Sequence, residues 1–221
     1  MSGYENAYFT MRHNSLWSGV GQADFESAIR CMDARLRSFK KNSVIMMTGD
    51  EATHIGMIVS GSAKVIKEDI NGDAFILTEL FASDVFGEVF ACAGIDHMPV
   101  SVLAAEDCEI LLVNYRRIAT ACSSACAFHG RLIENMLKLI ARKNLELNQK
   151  IDILSKRTTR EKLIAFFDAQ RGLAKKFAIS LSREEMARYL CVDRSAMSGE
   201  LGRMRDEGLI LFKRNVFEVF Y

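Results

Sequence analysis

The chain has 221 residues, of which 49% are hydrophobic and 26% are charged, and its formal net charge is +1. This composition is that of a folded globular protein and excludes an intrinsically disordered one. The sequence has no run of 18 apolar residues, which excludes a transmembrane helix, and no basic stretch leading into an apolar segment at its start, so we expect no secretory signal.

The small net charge hides an asymmetry along the chain. Residues 156–221 contain 14 Lys and Arg against 9 Asp and Glu, a net charge of +5, whereas the rest carries 15 against 19, a net charge of −4. A basic end suggests contact with a polyanion such as nucleic acid, although many solvated surfaces are equally basic.

Residues 36–114 are predicted to form a domain of short β-strands. Short apolar or alternating runs recur there with turn signals between them, a pattern typical of a barrel or sandwich. Asn71-Gly72, between two such runs, is the strongest hairpin signal. The predicted strands span residues 36–39, 43–47, 55–59, 63–68, 74–80, 100–104 and 110–113.

After residue 126 the apolar period becomes helical. Seven residues recur at alternating spacings of four and three, which is a heptad seam over three repeats. Asn144 lies in this seam, where a buried polar group costs stability but specifies register and strand number. The seam consists of Ile133, Leu137, Ile140, Asn144, Leu147, Ile151 and Leu154.

The seam has two interpretations. An amphipathic helix packed on its own domain would also be periodic, but the strict 3.5-residue period favours pairing with a second copy of the chain. Four apolar residues lie off the seam and are expected to hold the helix against the β domain: Leu132, Met136, Leu145 and Ile153.

The stretch 182–210 carries the strongest functional pattern. Ser182 and Glu185 form a capping box that starts a helix, and this helix breaks at residues 191–193. Asp193 is then a good N-cap for a second helix, which Gly208 is suited to end. Two short helices joined by a tight turn make a helix-turn-helix. Residues 177–181 are predicted to form a short strand before the two helices. After the helices, two alternating strands around residues 214–215 form a wing.

The polar face of the second helix carries the predicted DNA contacts. A major-groove helix presents its N-terminal residues to base edges, Arg bonds guanine bidentately, and small residues let the helix approach closely. An arginine alone could simply solvate a helix face, but the ordered combination of capping box, turn and basic wing favours DNA binding. The predicted reading residues are Arg194 to a base, Ser195 and Ser198 to a base or a phosphate, and Gly199, which allows close approach. Arg203, Lys213 and Arg214 are predicted to contact phosphates.

With these motifs the sequence resembles the CRP/FNR family of bacterial transcription regulators, from about residue 36 to residue 221. The stretch SREEMARYLCVDRSAMSGELGRMRDEGLI is similar to the family's helix-turn-helix, with Arg194 at its usual recognition-helix arginine. IGMIVSGSAKVIKEDINGD resembles the paired strands of its cyclic-nucleotide-binding-type β-roll, and DVFGEV, residues 84–89, resembles its phosphate-binding cassette.

The resemblance implies an α+β fold with an N-terminal β-roll (a double-stranded β-helix of the cyclic-nucleotide-binding type), a long dimerisation helix and a C-terminal winged helix-turn-helix. We expect an effector-sensing domain at 1–125, the dimerisation helix at 126–155 and the DNA-binding domain at 156–221. A small effector would bind between β-roll and long helix and so bring a homodimer into register with a palindromic operator.

The resemblance also implies partners. These are double-stranded DNA, a second copy of the chain and, for an activator, RNA polymerase, with no membrane. A chain of this size without a signal peptide keeps its thiols reduced, so a cytoplasmic protein is expected.

The chain departs from the family pattern where a cyclic phosphate would bind. In cyclic-nucleotide-responsive members the resemblance implies an Arg-Ser pair, and the matching residues here are Met98-Pro99. No arginine lies between Gly87 and Arg116, and a buried phosphate without a cationic partner is costly. We therefore expect an unknown small-molecule effector other than cAMP or cGMP. Its predicted pocket consists of Phe86, Gly87, Glu88, Met98, Pro99, Val100, Ser101 and Met136.

Two of these residues have equally good structural explanations. Glu88 either bonds a polar ligand or accepts a backbone amide within the β-roll. Pro99 either contacts the ligand or simply starts the strand that follows it.

A thiol and imidazole group supports an alternative function. Cys122, Cys126 and His129 are spaced by four and three residues, on one face of a helix, where they could sense a metal, haem or an oxidant. Cysteines are also common core residues, which is the favoured explanation, and three others are assigned to the core: Cys31, Cys108 and Cys191. No catalytic residues and no enzyme activity are expected, because no nucleophile–base pair, Gly-rich phosphate loop or carboxylate pair stands out.

Overall fold

The computed structural model describes residues 3–69, 74–120 and 126–221. The chain divides into two compact units, Met1–Ala141 and Arg142–Tyr221, and the boundary falls inside one long helix. The boundaries expected from the sequence, after residues 125 and 155, lie near the two ends of that helix.

The first unit begins with two helices that the sequence pattern did not predict. The Trp17 and Phe25 rings meet with centroids 4.5 Å apart, and Nε1 of Trp17 lies 3.1 Å from Sδ of Met57 in the β domain. These contacts bury the N-terminal segment in the same core as the strands. The segment comprises α1 (Gly3–Met11), a short 3-10 helix (Ser15–Trp17) and α2 (Gln22–Cys31).

Eight strands of the first unit form two antiparallel four-stranded sheets, with the orders β1-β8-β3-β6 and β2-β7-β4-β5. Ile58, Val102 and Ile110 are buried between them because alternate residues of each strand face inward. The strands are β1 (Arg35–Phe39), β2 (Val44–Met46), β3 (His54–Ser60), β4 (Ala63–Glu68), β5 (Ala74–Leu80), β6 (Val85–Phe86), β7 (Ser101–Ala104) and β8 (Cys108–Asn114).

The strand predictions hold with small corrections. The predicted strands 63–68 and 74–80 are β4 and β5, which pair antiparallel with Glu68 opposite Ala74. The turn signal between them, Asn71-Gly72, lies outside the described residues. The two-residue strand β6 was not predicted, because two residues are too few to show a period.

Three helices complete the first unit, the last of which continues into the second. They are α3 (Glu88–Ala93), α4 (Tyr115–Ala119) and α5 (Ala127–Ser155). In α5, Asn135 is buried, and its side-chain amide donates hydrogen bonds of 2.9 Å to the carbonyl oxygens of Leu16 and Ser18. This residue therefore ties the first half of α5 to the N-terminal segment.

The second unit is a helical domain with a three-stranded sheet of order β10-β11-β9. Phe166, Phe167 and Phe217 are fully buried at its centre. The strand predicted at 177–181 is shorter and earlier than expected. After α5 the elements are α6 (Thr159–Arg171), β9 (Lys176–Ala178), α7 (Arg183–Leu190), α8 (Arg194–Asp206), β10 (Ile210–Lys213) and β11 (Val216–Val219).

The predicted α+β class, with a β-roll, a long helix and a winged helix-turn-helix, is confirmed. Across residues 3–69, 74–120 and 126–221, no helix has the length and apolar character needed to cross a membrane.

Candidate functional site

The helix-turn-helix is built by the local signals that predicted it. The Ser182 hydroxyl accepts a hydrogen bond of 3.3 Å from the backbone amide of Glu185. The Glu185 carboxylate accepts one of 2.7 Å from the backbone amide of Ser182, which completes a capping box. Helix α7 ends at Cys191, whose φ of +50° turns the chain. Asp193 then caps α8 by accepting the Ala196 amide at 2.8 Å.

Helix α8 has one buried and one exposed face. Met197, Leu201 and Met204 are buried in the core of the second unit. The opposite side of the first two turns is exposed, and a Cβ built on Gly199 meets nothing within 4 Å in the described parts of the chain. The predicted reading residues Arg194, Ser195, Ser198 and Gly199 all lie on this exposed side, which we call the reading face.

The hydroxyl of Ser195 is already engaged within the reading face. It donates a hydrogen bond to the Asp193 carboxylate, whose pKa is lowered mainly by this bond and next by the Ala196 amide. An ionised Asp193 at the start of α8 suits the positive end of the helix dipole. The Ser195 oxygen remains able to accept a hydrogen bond.

Further along α8, Arg203 is ion-paired within its own helix. Its guanidinium donates to the Glu200 carboxylate, yet the Arg203 side chain stays 67% exposed. Glu200 is 7% exposed, and its carboxylate is also ion-paired with Arg160 of α6. The pKa of Glu200 is lowered, first by the hydrogen bond from Arg160 and also by that from Arg203. Arg203 can thus present a positive surface while Glu200 orients it.

The wing is the turn between β10 and β11, and it carries two exposed cations. Lys213 and Arg214 are both exposed, and Arg214 has a φ of +56° at the tip of the turn. These are the positions predicted to contact phosphates.

Arg183, which the sequence reasoning missed, supports the wing. Its guanidinium lies 4.9 Å from the Phe212 ring centroid and 4.7 Å from that of Phe217, and it donates to the Arg214 carbonyl at 3.2 Å. Burial lowers the pKa of Arg183. One sequence signal could have identified Arg183. It lies in the first turn of a predicted helix, where the helix dipole disfavours a cation, so its guanidinium needs a stabilising contact elsewhere.

The heptad seam on α5 is largely exposed in the single chain. Leu137, Leu147 and Ile151 are 66%, 58% and 57% exposed, and Asn144 is exposed as well. Ile133, Ile140 and Leu154 are half-buried. Such a row of exposed apolar side chains is unusual on a helix that has no partner.

The off-seam residues of α5 divide into three groups, which corrects the expectation that all four pack on the β domain. Leu132 and Met136 are buried in the core of the first unit, as expected. Ile153 is buried in the second unit instead. Leu145 is 69% exposed and holds the helix to neither core.

The predicted effector residues are mostly packed rather than open. Phe86, Met98 and Val100 belong to one buried cluster, whereas Met136 belongs to another. The Ser101 hydroxyl oxygen accepts a hydrogen bond of 2.9 Å from the backbone amide of Thr48, and it lies 3.0 Å from the Thr48 hydroxyl oxygen. Pro99 is exposed. A ligand among these side chains would need some of them to move.

Gly87 and Glu88 are structurally constrained within the cassette. Gly87 has a φ of +80°, and a Cβ there would lie 2.8 Å from the His54 carbonyl oxygen, so only glycine fits. Glu88 is 1% exposed in the first turn of α3, where the helix dipole favours a carboxylate.

An open cavity of about 710 Å³ borders the predicted pocket at Met98. This volume is in the range of small-molecule sites. Its rim carries cations on the surface of β1 and α4, of which Arg35 is ion-paired with Asp33 at 3.1 Å. Besides Met98 its lining includes Phe39, Met46, Glu51, His54, Arg37, Arg116 and Arg117.

The thiol and imidazole group differs from the predicted one. Cys122 lies outside the described residues. Cys126 and His129 are instead joined by Cys31, with their ligand atoms all within 4.8 Å of one another. Cys31 was assigned to the core, and it is half-buried at the end of α2. Cys108 is buried as expected, whereas Cys191 is exposed.

Comparisons with known proteins agree with this architecture. A family model, the cyclic nucleotide-binding domain, matches residues 36–125. The fumarate and nitrate reduction regulatory protein of Escherichia coli K12 is 25% identical over 186 residues, which cover 81% of this chain and 72% of that protein. The chain thus resembles this regulator over most of its length, and its N-terminal part matches the cyclic nucleotide-binding domain.

Two solved structures share the fold. The Thermus thermophilus catabolite activator protein superposes with a TM-score of 0.54 at 20% identity and 94% coverage of both chains. The c-di-GMP-responsive regulator CLP of Xanthomonas campestris superposes with a TM-score of 0.55 at 16% identity, covering 89% of this chain and 99% of that one. The chain is therefore similar in sequence to a regulatory protein and shares the fold of these two solved structures.

Proposed function

We propose that this protein is a member of the CRP/FNR family and an effector-responsive transcriptional regulator that binds a palindromic operator as a homodimer in the cytoplasm. The observation that carries this proposal is the exposed reading face of α8, in the same unit as the exposed cations of the wing. The small residues Ser195, Ser198 and Gly199 let the helix approach the floor of a major groove.

The direct readout is assigned to the first turns of α8. Arg194 is exposed in the first turn, where a long side chain can reach a guanine edge bidentately. Ser195 and Ser198 follow on the same face. Arg203, Lys213 and Arg214 are assigned to phosphates, since contacts of this kind set affinity and register but not sequence.

Dimerisation is assigned to the seam of α5. Exposed Leu137, Leu147 and Ile151 would be covered by the same residues of a second copy, and Asn144 would pair with its counterpart and specify the register. Two copies related by a twofold axis place two reading faces on half-sites one helical turn apart, which is why the operator is expected to be palindromic.

The effector is proposed to be a small molecule other than a cyclic nucleotide. The residues predicted to line its pocket include no cation, and three of them, Phe86, Met98 and Val100, pack together in one buried cluster. An effector stabilises the DNA-competent form only if it binds that form more tightly than the other. An RNA polymerase contact is proposed for the case in which the regulator is an activator.

The decisive experiment compares two arginines of α8. An operator is first selected from a random pool of duplex DNA, and binding is then measured by gel shift against a scrambled duplex. Arg194→Ala should lose about 1–3 kcal/mol of specificity per half-site, and the scrambled duplex should be bound as before. Arg205→Ala is the matched control, because Arg205 is exposed near the end of the same helix and paired with Asp206.

Retained specificity in Arg194→Ala would refute the assigned reading face. Failure to select any sequence from the pool would refute the proposed function itself. Sedimentation of each variant shows whether a loss of binding reflects the contact or the dimer.

A further inference from the structure

Three metal-ligating side chains from distant parts of the sequence meet in the first unit. Cys31 is the last residue of α2, Cys126 immediately precedes α5, and His129 lies in the first turn of α5. The two sulfur atoms and an imidazole nitrogen all lie within 4.8 Å of one another. The backbone amide of His129 bonds the Cys126 carbonyl at 3.1 Å, which holds these two residues on one turn.

The imidazole of His129 is the observation that points to a ligand. His129 is 3% exposed, and within the described ranges its Nδ1 atom is buried without a hydrogen-bond partner. Buried polar atoms of this kind are rare, because burial removes the water that would bond them. The Phe128 ring packs on the imidazole with centroids 4.6 Å apart and restricts its rotation.

The spacing suits a tetrahedral metal ion. With Zn–S bonds of about 2.3 Å and Zn–N bonds of about 2.0–2.1 Å, neighbouring ligand atoms of a tetrahedron lie about 3.5–3.8 Å apart. The three atoms here, within 4.8 Å, need to move inward by only about 1 Å, which small side-chain rotations supply. Two sulfurs and an imidazole favour zinc-class transition metals over magnesium or calcium, which prefer oxygen ligands.

The helix ends affect the two thiols in opposite ways. Cys126 lies at the N-terminal end of α5, where the helix dipole favours a thiolate. Cys31 lies at the C-terminal end of α2, where the dipole opposes one. A divalent cation between them compensates both negative charges, so that both thiols can lose their protons to solvent as the metal binds.

We propose that Cys31, Cys126 and His129 form a binding site for a divalent transition metal of the zinc class. Two thiolates and one imidazole bind the ion, and the fourth position is taken by water or a small exogenous ligand. A disulfide between the two cysteines would not engage the imidazole of His129, so the metal accounts for more of the geometry. The bound ion would join the N-terminal helices to the start of α5.

Cobalt titration of the reduced, metal-free full-length protein tests this site. Anaerobic addition of Co²⁺ should produce the visible bands of tetrahedral cobalt and a near-ultraviolet thiolate-to-cobalt charge-transfer band, which saturate at one ion per chain. One equivalent of Zn²⁺ should displace the cobalt and so remove both the visible bands and the charge-transfer band. Absence of these bands, or an octahedral spectrum, would overturn the proposal.

Variants assign the ligands. Cys31→Ser should roughly halve the charge-transfer band, since its intensity follows the number of thiolates. His129→Gln should keep that band but weaken metal affinity by about 100-fold or more, because even outer-shell partners contribute 10–100-fold. Cys92→Ser and Cys191→Ser, at exposed thiols, are the controls and should titrate like the wild type. Equal behaviour of ligand and control variants would overturn the assignment.

A measurement on the wild type does not depend on variant folding. Zn²⁺ should protect Cys31 and Cys126 from alkylation, mapped by mass spectrometry, while Cys92 and Cys191 still react. Equal reactivity with and without zinc, or a Cys31–Cys126 disulfide in protein that takes up no metal, would refute the site. Operator binding is a separate readout, so the proposed regulatory function can fail while this site stands, and the reverse.

Discussion

Arg160 of α6 is ion-paired with Glu200 of the reading helix α8, and the same guanidinium donates two hydrogen bonds of 2.7 Å to Glu207. Glu200 also receives Arg203. A mostly buried carboxylate is thus held between two arginines. This network connects α6 to the middle of α8 and to Glu207, the residue that caps the C-terminal end of α8, and so orients the helix within its own unit.

The Glu200 pair should make the second unit sensitive to acid. Its pKa is lowered from 4.5, first by the hydrogen bond from Arg160, so the ionised form stabilises the folded state above about pH 4.5. That stabilisation is lost as the pH falls through the lower folded-state pKa. Glu200→Gln should reduce the melting temperature at neutral pH by several degrees and flatten its decline below pH 4.5, measured by scanning calorimetry.

Glu184→Gln is the control for this experiment, because Glu184 is 68% exposed and 3.8 Å from Arg188. Glu184→Gln should have the melting temperature of the wild type both at neutral pH and below pH 4.5. An acid profile of Glu200→Gln that parallels the wild type would show that Glu200 is not the titrating group.

The seam prediction is best tested at its two most clearly exposed residues in the second half of α5. Leu147→Asp with Ile151→Asp places four charges in a dimer interface where each apolar side chain contributes about 1.5–3 kcal/mol. We expect dimer affinity to fall by about 10⁴-fold or more, giving monomers in sedimentation velocity. Ile140 is avoided because it packs against the core of the first unit.

Leu145→Asp is the matched control for the seam. Leu145 is on the same helix and is more exposed than Leu147 and Ile151, but it lies off the heptad positions. It should remain dimeric. A dimer that survives the Leu147 and Ile151 substitutions would mean that the chain pairs through another surface.

Arg183 should stabilise the wing through its charge. Arg183→Met keeps the apolar length but removes the cation that lies over Phe212 and Phe217, and should lower the free energy of unfolding by about 1–2 kcal/mol in urea. Arg188→Met, at a side chain of the same helix that is 77% exposed, should have little effect. Equal stability of the two variants would contradict the assignment.

Cyclic nucleotides should not stabilise the protein. A ligand at about 100 times its Kd raises the free energy of unfolding by about 2.7 kcal/mol, which corresponds to several degrees in the melting temperature. We expect no shift with cAMP or cGMP, because Met98 is buried and Pro99 offers no amide hydrogen. A saturable rise with cAMP would show that a cation elsewhere replaces the missing arginine.

The sequence alone predicted the parts of this protein whose physics is local. The capping box of Ser182 and Glu185, the Asp193 cap and the strands of residues 63–68 and 74–80 depend on contacts within a few residues or on a simple alternation. They formed as expected. The reading face of α8 follows from the same helical periodicity.

Tertiary structure decided what depends on residues far apart in the chain. The association of Cys31 with Cys126 and His129, the bonds from Asn135 to Leu16 and Ser18, and the packing of Arg183 carry no periodic signal. The helices α1 and α2 were missed because their role is to cover the β domain. A local pattern records which face of an element is apolar, whereas only the folded chain determines which distant side chains that face meets.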